Sequence, residues 1–431
     1  MKTKLQIAFL IIAVALPAVA SAQFILSGEL RPRAEYRHGY KQPASTNMDA
    51  AAFISQRSRL NMAYTNEKMK FGLSLQDVRV WGNVPQLNLS DNNFSLHQAW
   101  GEYFFTPTLS IKLGRQELVY DDSRILGNVD WAQQGRSHDI GLLKYEKNAW
   151  KVHAGVAYNQ DQEKLSGRIY TIEGNYKTMQ LLWINRHAGD LNLSVLFLNN
   201  GKQDMETDAN EEISYTTRYS QTIGATGTYS INPVQLNASI YKQMGKEMGN
   251  KDMDALMFAI NAKWSITESL SFTPGFEYLS GTSQNDAIDP THNEINSFNP
   301  FYGTNHKFNG HMDYYYVGNH INNVGLQDLF LKINYGKARL SLGADFHFFS
   351  AAADINNPAN LSETMDSNLG QELDLYIGYK LAAGVNLNVG YSQYFTTEST
   401  IALKGGNKDE TSNWAWASIT FKPELFRHNE R

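Results

Sequence analysis

Alternation of apolar and polar residues along extended segments is the feature that most constrains this chain. Between residues 26 and 37, apolar residues such as Leu26 and Tyr36 share one parity, and charged residues occupy the other. A period of two places alternate side chains on opposite faces of a strand, whereas a helix would show a period near 3.6. The same design recurs in residues 338–348 and 372–380. The chain is therefore predicted to be all-β.

The alternating segments are too long for an ordinary soluble sheet. Strands of soluble sheets are typically about 5 or 6 residues long, and these run roughly twice that length. A strand tilted by about 45° needs roughly 9 to 11 residues to cross the hydrocarbon core, with apolar side chains toward lipid and polar ones toward a lumen. Because unpaired strand edges cannot exist in lipid, such strands must close on themselves. We expect a transmembrane antiparallel up-and-down β-barrel.

Short turns and long polar stretches alternate, which allows the strands to be counted. Tight turns are predicted near residues 65–68, 106–107, 146–148, 187–190, 230–233, 265–269, 336–337 and 381–384. Stretches rich in Asn, Asp, Gly and Ser lie between them, at 38–51, 82–93, 119–137, 160–174, 200–212, 246–252, 281–325, 350–368 and 398–411. Eight hairpins, a first strand from Phe24 and a last strand ending near Phe421 give 18 strands. In bacterial outer-membrane barrels the short turns and both termini face the periplasm and the long loops are extracellular.

The last predicted strand, Asn413 to Phe421, is rich in aromatic residues, with Trp414 and Trp416 on one parity. It resembles the signal that outer-membrane barrels present to the barrel assembly machinery, which is therefore an expected partner together with outer-membrane lipid. Tyrosine and tryptophan near other strand ends predict girdles at the two membrane interfaces.

A signal peptide is predicted for residues 1–22. Lys2 and Lys4 precede an apolar stretch that ends in small residues suited to cleavage before Gln23. A membrane anchor is the alternative, and the shortness of the stretch disfavours it. Residues 23–431 are then a single exported barrel domain.

Composition and motif content remove several other classes. The chain has no cysteine, so disulfide scaffolds and Cys-ligated metal sites are excluded. With 38 basic and 43 acidic residues, the net charge of −5 has the wrong sign for a nucleic-acid partner. No G-x-S-x-G, H-E-x-x-H, phosphate-binding Gly-Lys loop or EF-hand series occurs. We expect neither an enzyme nor a cofactor.

Arginine is concentrated in the first third of the chain. Arg31 and Arg33 share the polar parity of the first strand, and Arg57 and Arg59 share one parity of the second. An 18-stranded barrel leaves an aqueous channel, so these side chains are expected to face it. Guanidinium groups bind carboxylates bidentately, and a row of them offers successive weak sites to an anionic solute. Internal ion pairs with acidic neighbours such as Glu29 are the alternative.

The segment 113–143 contains Leu-Gly-Arg-Gln-Glu-Leu, then Val-Tyr-Asp-Asp-Ser-Arg, with Trp131 and Arg136 downstream. This run closely resembles the signature of the alginate export porin family. The run Leu-Gln-Asp-Val-Arg-Val-Trp ending at Trp81 adds to the resemblance. Residues 298–308 look like the long-loop motif of the Bacteroidetes-type members of that family.

The resemblance implies an 18-stranded outer-membrane barrel whose arginine-lined constriction passes an anionic uronate polymer, with loops that gate its ends. By motif position it implies pore roles for four arginines and two acidic partners: Arg79, Arg115, Arg124, Arg136, Asp77 and Glu117. Two positions depart from the family pattern, since Asp121 stands where glycine is usual and His138 where an aromatic residue is common. The carboxylate of Asp121 is expected to weaken anion attraction at Arg124, which leaves the natural solute open.

The predicted loop 281–325 is too long for a simple connection and is expected to fold inward or to cap the mouth. It contains four histidines: His292, His306, His311 and His320. Their spacing matches no tight ligand motif, so a metal site is not favoured. Tyr314, Tyr315 and Tyr316 are expected in the aromatic girdle, with stacking against sugar rings as the alternative.

Together these features predict an outer-membrane porin that passes an anionic polysaccharide or small organic anions through an arginine-lined lumen. A monomer is expected, because no apolar interface loop is evident. One alternative is an uptake porin for oligosaccharides, and another is a barrel-embedded hydrolase built from His97, Ser95 and an aspartate. The sequence does not fix the solute, the direction of transport, the gating loop or the periplasmic partners.

Overall fold

A computed structural model describes residues 22–207, 210–289 and 291–429. The predicted signal peptide lies outside these residues except for Ala22. Eighteen strands, named β1 to β18 in chain order, form the wall. Their bounds are Gln23–His38, Ala51–Thr65, Met69–Val80, Phe94–Thr106, Leu109–Gln116, His138–Lys147, Trp150–Tyr158, Thr178–Ala188, Leu191–Thr207, Ile213–Ile231, Val234–Lys246, Asp252–Ser265, Leu270–Leu279, Leu326–Lys337, Leu340–Ser350, Asn368–Ala382, Val385–Phe395 and Ser412–Phe421.

The strands form a closed antiparallel ring. Each pairs with its neighbour in the chain, and β18 pairs back with β1, where Ala417 lies opposite Ala34. After an interruption, the short strand Glu424–Asn429 continues the pairing along β1. Closure leaves no strand edge exposed, as a lipid environment requires. The predicted fold class and the predicted number of strands are confirmed.

The wall has the alternation that the sequence predicts. On β1, Leu30 and Tyr36 are exposed on the outer face, whereas Glu29 and Glu35 are buried on the inner face. Apolar residues on the outside of a barrel meet hydrocarbon, so their exposure to solvent in the isolated chain does not imply instability.

Short connections join the strands at one end of the barrel, called here the turn end, and longer loops join them at the other, the loop end. The nine loops are named L1 to L9 in chain order, and both ends of the described chain lie at the turn end. The expected loop at 200–212 is wrong for most of its length, because β9 continues to Thr207 and β10 begins at Ile213. Beyond the membrane both faces of a strand can be polar, so pairing continues where apolar alternation has stopped.

The remaining elements are short. They comprise the strands Glu294–Ile295, Asn356–Asn357 and Asn360–Thr364, the α-helices Gln284–Ile288 and Glu398–Lys404, and the 3-10 helices Met248–Asn250 and Asn305–Lys307. Within the described ranges, no helix has the length and apolar character needed to cross a membrane.

Two loops fold into the lumen, L3 (residues 117–137) and L7 (residues 280–325). They meet where the amide of Gly127 donates to the carbonyl of Tyr302 at 2.9 Å and the amide of Thr304 donates to Ser123 at 2.9 Å. Buried apolar residues of both loops pack on an apolar inner face of β6 to β9 and form one cluster. The hydrophobic core of this barrel therefore lies inside the lumen, where the sequence pattern predicts mainly polar side chains.

Candidate functional site in the lumen

Arginines of β1 and β2 hold L3 against the wall. Arg33 donates from Nη1 to the carbonyl of Trp131 at 2.8 Å, and Arg31 donates from Nε to Oε1 of Gln133 at 3.1 Å. Arg59 donates to the carbonyl of Gln134 at 3.3 Å. Loop carbonyls inside a barrel need such partners, because an unpaired buried backbone group is costly. These arginines are thus attachment points for L3 as well as lumen residues.

The same cluster contains buried ion pairs. The fully buried guanidinium of Arg57 lies 2.8 Å from Oε1 of Glu29 and 2.8 Å from Oδ1 of Asp130 in L3. Arg33 pairs with Glu35 at 2.8 Å. Burial raises the pKa of Asp130, but the charges of the facing arginines outweigh burial and the pKa is lowered. The internal ion pairs considered from the sequence are therefore present, and they neutralise part of the cluster.

Trp131 occupies the centre of this region. The guanidinium of Arg33 lies 4.0 Å from the centre of its ring, a distance typical of a cation–π contact. His306 of L7 stacks on the ring at 4.5 Å, and Trp414 and Trp416 of β18 make edge contacts at 5.4 and 4.8 Å. Both lumen loops and the wall therefore fix the position of this indole.

Two cavities meet at Arg33 and Trp131. One, of about 760 Å³, opens toward the loop end, and the other, of about 640 Å³, toward the turn end. Four basic side chains line the loop-end cavity, Arg33, Arg37, Lys41 and Arg136, and five line the turn-end cavity, Arg31, Arg33, Arg339, Lys380 and Lys422, with Arg33 common to both. Arg79 also borders the loop-end cavity, but it lies opposite Gln56 on the outer-face parity of β3. Glu35 and Asp313 are the acidic residues lining the first, and Asp130 lines the second. The two cavities form a predominantly basic compartment on either side of Trp131.

Four of these cations, Lys41, Arg136, Arg339 and Lys380, have no carboxylate partner among the described residues. Lys41 donates to the carbonyl of Val317 at 2.9 Å. Arg136 donates to the carbonyl of Gly303 at 3.0 Å, and Arg339 approaches the carbonyl of Leu381 at 3.5 Å. Lys380 lies on the inner face of β16 in the turn-end cavity. Burial lowers the pKa of Arg136, as expected for a charge removed from water without a counter-ion. These four groups carry a positive charge that no carboxylate of the described residues neutralises.

L7 rests on a wall of opposite charge. Met312 donates its amide to Glu372 at 2.7 Å, and the amide of His311 donates to Asp374 at 3.3 Å. Oδ2 of Asp328 accepts from Nδ2 of Asn309 in L7 at 3.4 Å and also lies 2.9 Å from the ring of His347 on β15. Carboxylates of β14 and β16 therefore meet donors of L7 in the same way that arginines of β1 and β2 meet acceptors of L3.

The acidic wall also holds the tip of L3. Arg124 lies 2.5 Å from Oε2 of Glu277 on β13, and its guanidinium lies 3.2 Å from the ring centre of Phe308. Both charged groups are buried. Arg124 borders a separate cavity of about 420 Å³ under the junction of L3 and L7. The structure therefore does not bring Arg124 into the cluster that contains Arg33.

Three of the implied pore residues lie on the outer face of the barrel: Asp77 and Arg79 on β3, and Arg115 on β5. Arg115 shares the outer face of β5 with Leu113, whereas Gln116 faces the lumen. Its guanidinium pairs with Asp139 at 2.9 Å, and the two side chains are 42% and 62% exposed. The parity of Leu113 and Arg115 was readable from the sequence, and the family motif overrode it. Arg115 lies on the outside near the loop end.

The two implied acidic partners are placed differently from each other. Asp77 pairs with Arg79 at 2.6 Å on the outer face of β3, where the two residues lie opposite Ser58 and Gln56 of β2. Glu117 binds Nε2 of His97 at 2.7 Å. Burial raises the pKa of Glu117, but hydrogen bonds from His97 and Asn128 dominate and the pKa is lowered. Glu117 therefore anchors the start of L3.

His97 does not form the hydrolase arrangement considered with Ser95. Its Nδ1 lies 3.1 Å from Oγ of Ser137, and Ser137 donates its hydroxyl to the carbonyl of His97 at 2.6 Å. A hydroxyl whose proton is held by a carbonyl is not activated by the imidazole. The arrangement ties the end of L3 to β4.

The two departures from the family pattern have structural explanations. Asp121 has φ 53°, in the left-handed region that glycine adopts most readily. Its carboxylate accepts from Nε1 of Trp183 at 3.0 Å. The ring of His138 stacks on Tyr176 at 5.9 Å and meets the edge of Tyr302 at 5.4 Å, so it fills an aromatic position.

The girdle position expected for the three consecutive tyrosines is wrong. Tyr314, Tyr315 and Tyr316 are buried inside the barrel, where Tyr314 stacks on Tyr394 at 3.9 Å and Tyr315 packs on Phe349 at 4.8 Å. They form the inner core of L7 and are inaccessible to a sugar ring.

The histidines of L7 have separate partners. Nδ1 of His306 contacts Asp313 at 2.5 Å, and Nε2 of His320 donates to the carbonyl of Gly325 at 2.9 Å. Within the described ranges, no group of three or more residues of the metal-binding types is positioned to hold an ion.

Several lumen residues were not predicted from the sequence. Trp131 was part of the family motif without an assigned role, and Arg339, Lys380 and Lys422 lie far along the chain from the arginine-rich segment. The parity that Lys380 shares with Asp374 was a usable signal for a lumen position. No local pattern indicated that L3 would bring Trp131 between them.

The sequence matches the family model described as alginate export over residues 22–413. No curated protein sequence matches the chain. This family match confirms the resemblance inferred from the motifs.

Solved structures share the fold at low identity. OccK8 (OprE) of Pseudomonas aeruginosa is 11% identical with a TM-score of 0.60, covering 94% of this chain and 98% of that one. A BenF-like porin from Pseudomonas fluorescens Pf-5 is 14% identical with a TM-score of 0.60, covering 93% and 99%. OpdL of Pseudomonas aeruginosa is 12% identical with a TM-score of 0.60, covering 94% and 99%. At these identities the likeness shows the fold alone.

Proposed function

The chain belongs to the alginate export family, and we propose that it passes an anionic polysaccharide of the uronate type, or smaller organic anions, through the basic compartment around Trp131. Family and fold together support an outer-membrane channel. The proposal that the solute is an anion goes beyond the family and the fold, and it rests on the positive charge of the lumen cavities.

The observation that carries this proposal is the excess of basic residues along the two cavities. Arg136 on the loop-end side and Arg339 and Lys380 on the turn-end side have no carboxylate partner within the described ranges. A chain of carboxylates could move from one cation to the next, with each contact weak enough to release it.

We further propose that the turn end faces the periplasm. Both ends of the described chain lie there, and short turns on that side are the general pattern of outer-membrane barrels. A polymer made inside the cell would then meet the turn-end cavity first. A passive channel has no intrinsic direction, so uptake of oligosaccharides through the same path is the competing use.

Ion selectivity in planar bilayers tests the pathway. Replacing three of the four unpaired cations together, Arg136→Gln, Arg339→Gln and Lys380→Gln, should move the reversal potential in a salt gradient toward cation preference. Arg115→Gln is the matched control, because it removes one exposed positive charge from the outer wall and should leave the reversal potential unchanged. An unchanged potential in the triple variant would exclude these cations as the anion pathway.

The solute class needs a separate measurement. An oligomer of uronate units added to one side should reduce the anion current of the natural protein, and the triple variant should require a higher concentration for the same reduction. A neutral oligosaccharide of equal length is the control. Equal reduction by the neutral and anionic oligomers would favour an unselective sugar channel.

A further inference from the structure

A small basic cavity lies on the outer face of the barrel near the loop end. It has a volume of about 360 Å³ and lies between L4 (residues 159–177) and the ends of β8, β9 and β10. Its lining includes Lys177, Arg168 and Thr178 together with tyrosines 158, 215 and 219. The exposure of Tyr158 and Tyr219, on the opposite parity from buried Ala157 and Ser220, places it outside the lumen.

Lys177 is buried there without a hydrogen-bonding partner. Only 3% of the residue is exposed, and Nζ has no hydrogen bond. The ammonium lies 4.7 Å from the ring centre of Tyr158 and 5.3 Å from that of Tyr170. Aromatic faces stabilise a cation in part, but a buried ammonium retains three donors that need acceptors. The site is therefore incomplete without an acceptor.

The adjacent residue adds a second unpaired group. Oγ1 of Thr178 is buried and has no hydrogen bond, and it borders the same cavity. Arg168 contributes a guanidinium, and no aspartate or glutamate lines the cavity. An ammonium, a guanidinium and a hydroxyl around a space with no carboxylate form an anion site, and phosphate oxygens accept from all three kinds of donor.

The height of the cavity on the wall indicates where the anion comes from. Toward the turn end, exposed Leu182, Phe197 and Ile223 form part of the apolar band. Along β10, Tyr219 lies four residues from Ile223 in the direction of the loop end. For a strand tilted by about 45°, this separation places Tyr219 about 10 Å beyond Ile223 along the membrane normal. Polar headgroups occupy roughly the first 5 to 8 Å beyond the hydrocarbon core.

Side-chain amides mark the transition between the two levels. Asn199 donates to Gln180 at 2.6 Å, and Gln221 donates to Asn199 at 2.7 Å, in a row across three strands on the outer face. Such a row suits the boundary between hydrocarbon and headgroups, because its side-chain amides satisfy one another's hydrogen-bonding groups. The basic cavity begins directly beyond it, at the level of headgroup phosphates.

We propose that this cavity binds a phosphate group on the headgroup of a membrane lipid in the leaflet at the loop end, with Lys177, Thr178 and Arg168 as its donors. The site is distinct from the lumen, and its occupancy does not depend on which solute the channel carries. Lipid bound there would fix L4 to the membrane surface.

Native mass spectrometry of the protein purified in detergent tests this site with lipid A carrying two phosphates as the probe. Lys177→Gln should weaken binding at least tenfold, whereas Lys177→Arg should retain it because a guanidinium also donates to phosphate. Arg186→Gln is the matched control. Arg186 lies on β8, the strand that begins at Thr178, but near its turn end, where its guanidinium is 4.8 Å from the ring centre of Trp150. That variant should bind the probe as the natural protein does.

Two further arms separate the sources of phosphate and guard against misfolding. Inorganic phosphate at the same concentration should not bind, and equal binding would assign the site to the free ion. Dephosphorylated lipid A should bind more weakly than the probe. Arg168→Gln changes only an exposed loop residue and should reduce binding severalfold. Unchanged binding in both Lys177→Gln and Arg168→Gln would overturn the proposal.

Discussion

The two sides of the lumen use opposite charges for the same purpose. Strands β1 and β2 present arginines to the carbonyls and to Asp130 of L3, whereas strands β14 and β16 present carboxylates to backbone and side-chain amides of L7. A polypeptide backbone offers both donors and acceptors, so either sign of wall charge can hold a loop. The cations of the proposed pathway belong to neither set of attachments: Arg136 lies in L3, Arg339 in the turn between β14 and β15, and Lys380 on β16 beyond the carboxylates that hold L7.

The largest expected effect comes from breaking the basic attachment at its most buried point. Arg57→Met leaves Glu29 and Asp130 without their buried partner, and removing one member of a buried pair costs about 3–5 kcal/mol. Urea unfolding of the barrel in lipid vesicles measures this loss.

Arg115→Met provides the control for the Arg57 variant. Its ion pair with Asp139 is exposed, and such pairs are worth about 0–1 kcal/mol. If the two variants lost the same free energy of unfolding, burial would not increase the contribution of the Arg57 ion pairs to stability.

A pH-dependent effect is expected next, on the side of L7. Burial lowers the pKa of His320 to about 3, so the folded state holds the neutral imidazole. The contribution of this neutral imidazole to stability is complete above pH 6.5, about the pKa of histidine in the unfolded chain. It is lost as the pH falls from there toward 3. Between pH 7 and 4.5 the loss should be about 2.7 kcal/mol, since each of the two pH units below 6.5 contributes about 1.36 kcal/mol.

His320→Gln tests this assignment, because glutamine has a side-chain donor and does not titrate. Urea unfolding at pH 7 and at pH 4.5 should show a smaller difference for this variant than for the natural protein. The same pH difference in both proteins would assign the acid sensitivity to other groups, such as the carboxylates of the acidic wall.

The smallest effect is expected from neutralising one carboxylate of the acidic wall. Glu372 accepts the amide of Met312 at 2.7 Å, and Glu372→Gln retains an oxygen at that place. A bond from a neutral donor contributes about 1 kcal/mol, and most of it should persist. The free energy of unfolding measured in urea should change by less than about 1 kcal/mol.

A loss from Glu372→Gln as large as that from Arg57→Met would contradict the comparison, because it would mean that L7 depends on charge as strongly as L3 does. Glu372→Leu sharpens the test, since it also removes the acceptor. That variant should destabilise L7 more than Glu372→Gln.

Much of the wall could be predicted because its signals are local. Turn residues and alternation gave the number of strands and their order, and parity placed Arg31, Arg33, Arg57 and Arg59 on the lumen side. The same parity assigns Arg115 to the outer face. The pore position that the family motif implies for Arg115 is therefore wrong.

The interior could not be predicted in the same way. Trp131 meets Arg33, which is 98 residues earlier in the chain, and Arg124 meets Glu277, which is 153 residues later. No period or turn signal encodes such contacts, since they depend on the course of L3 and L7 through the lumen. The burial of Tyr314 to Tyr316 has the same origin.

The sequence by itself determined a closed barrel of 18 strands, because the period of the side chains and the need to pair every backbone group in lipid leave no other arrangement. Only the tertiary structure decided which charges remain free. Whether a guanidinium is neutralised depends on the carboxylates and carbonyls within a few ångströms of it, and in this protein two loops that cross the lumen bring many of those groups into place.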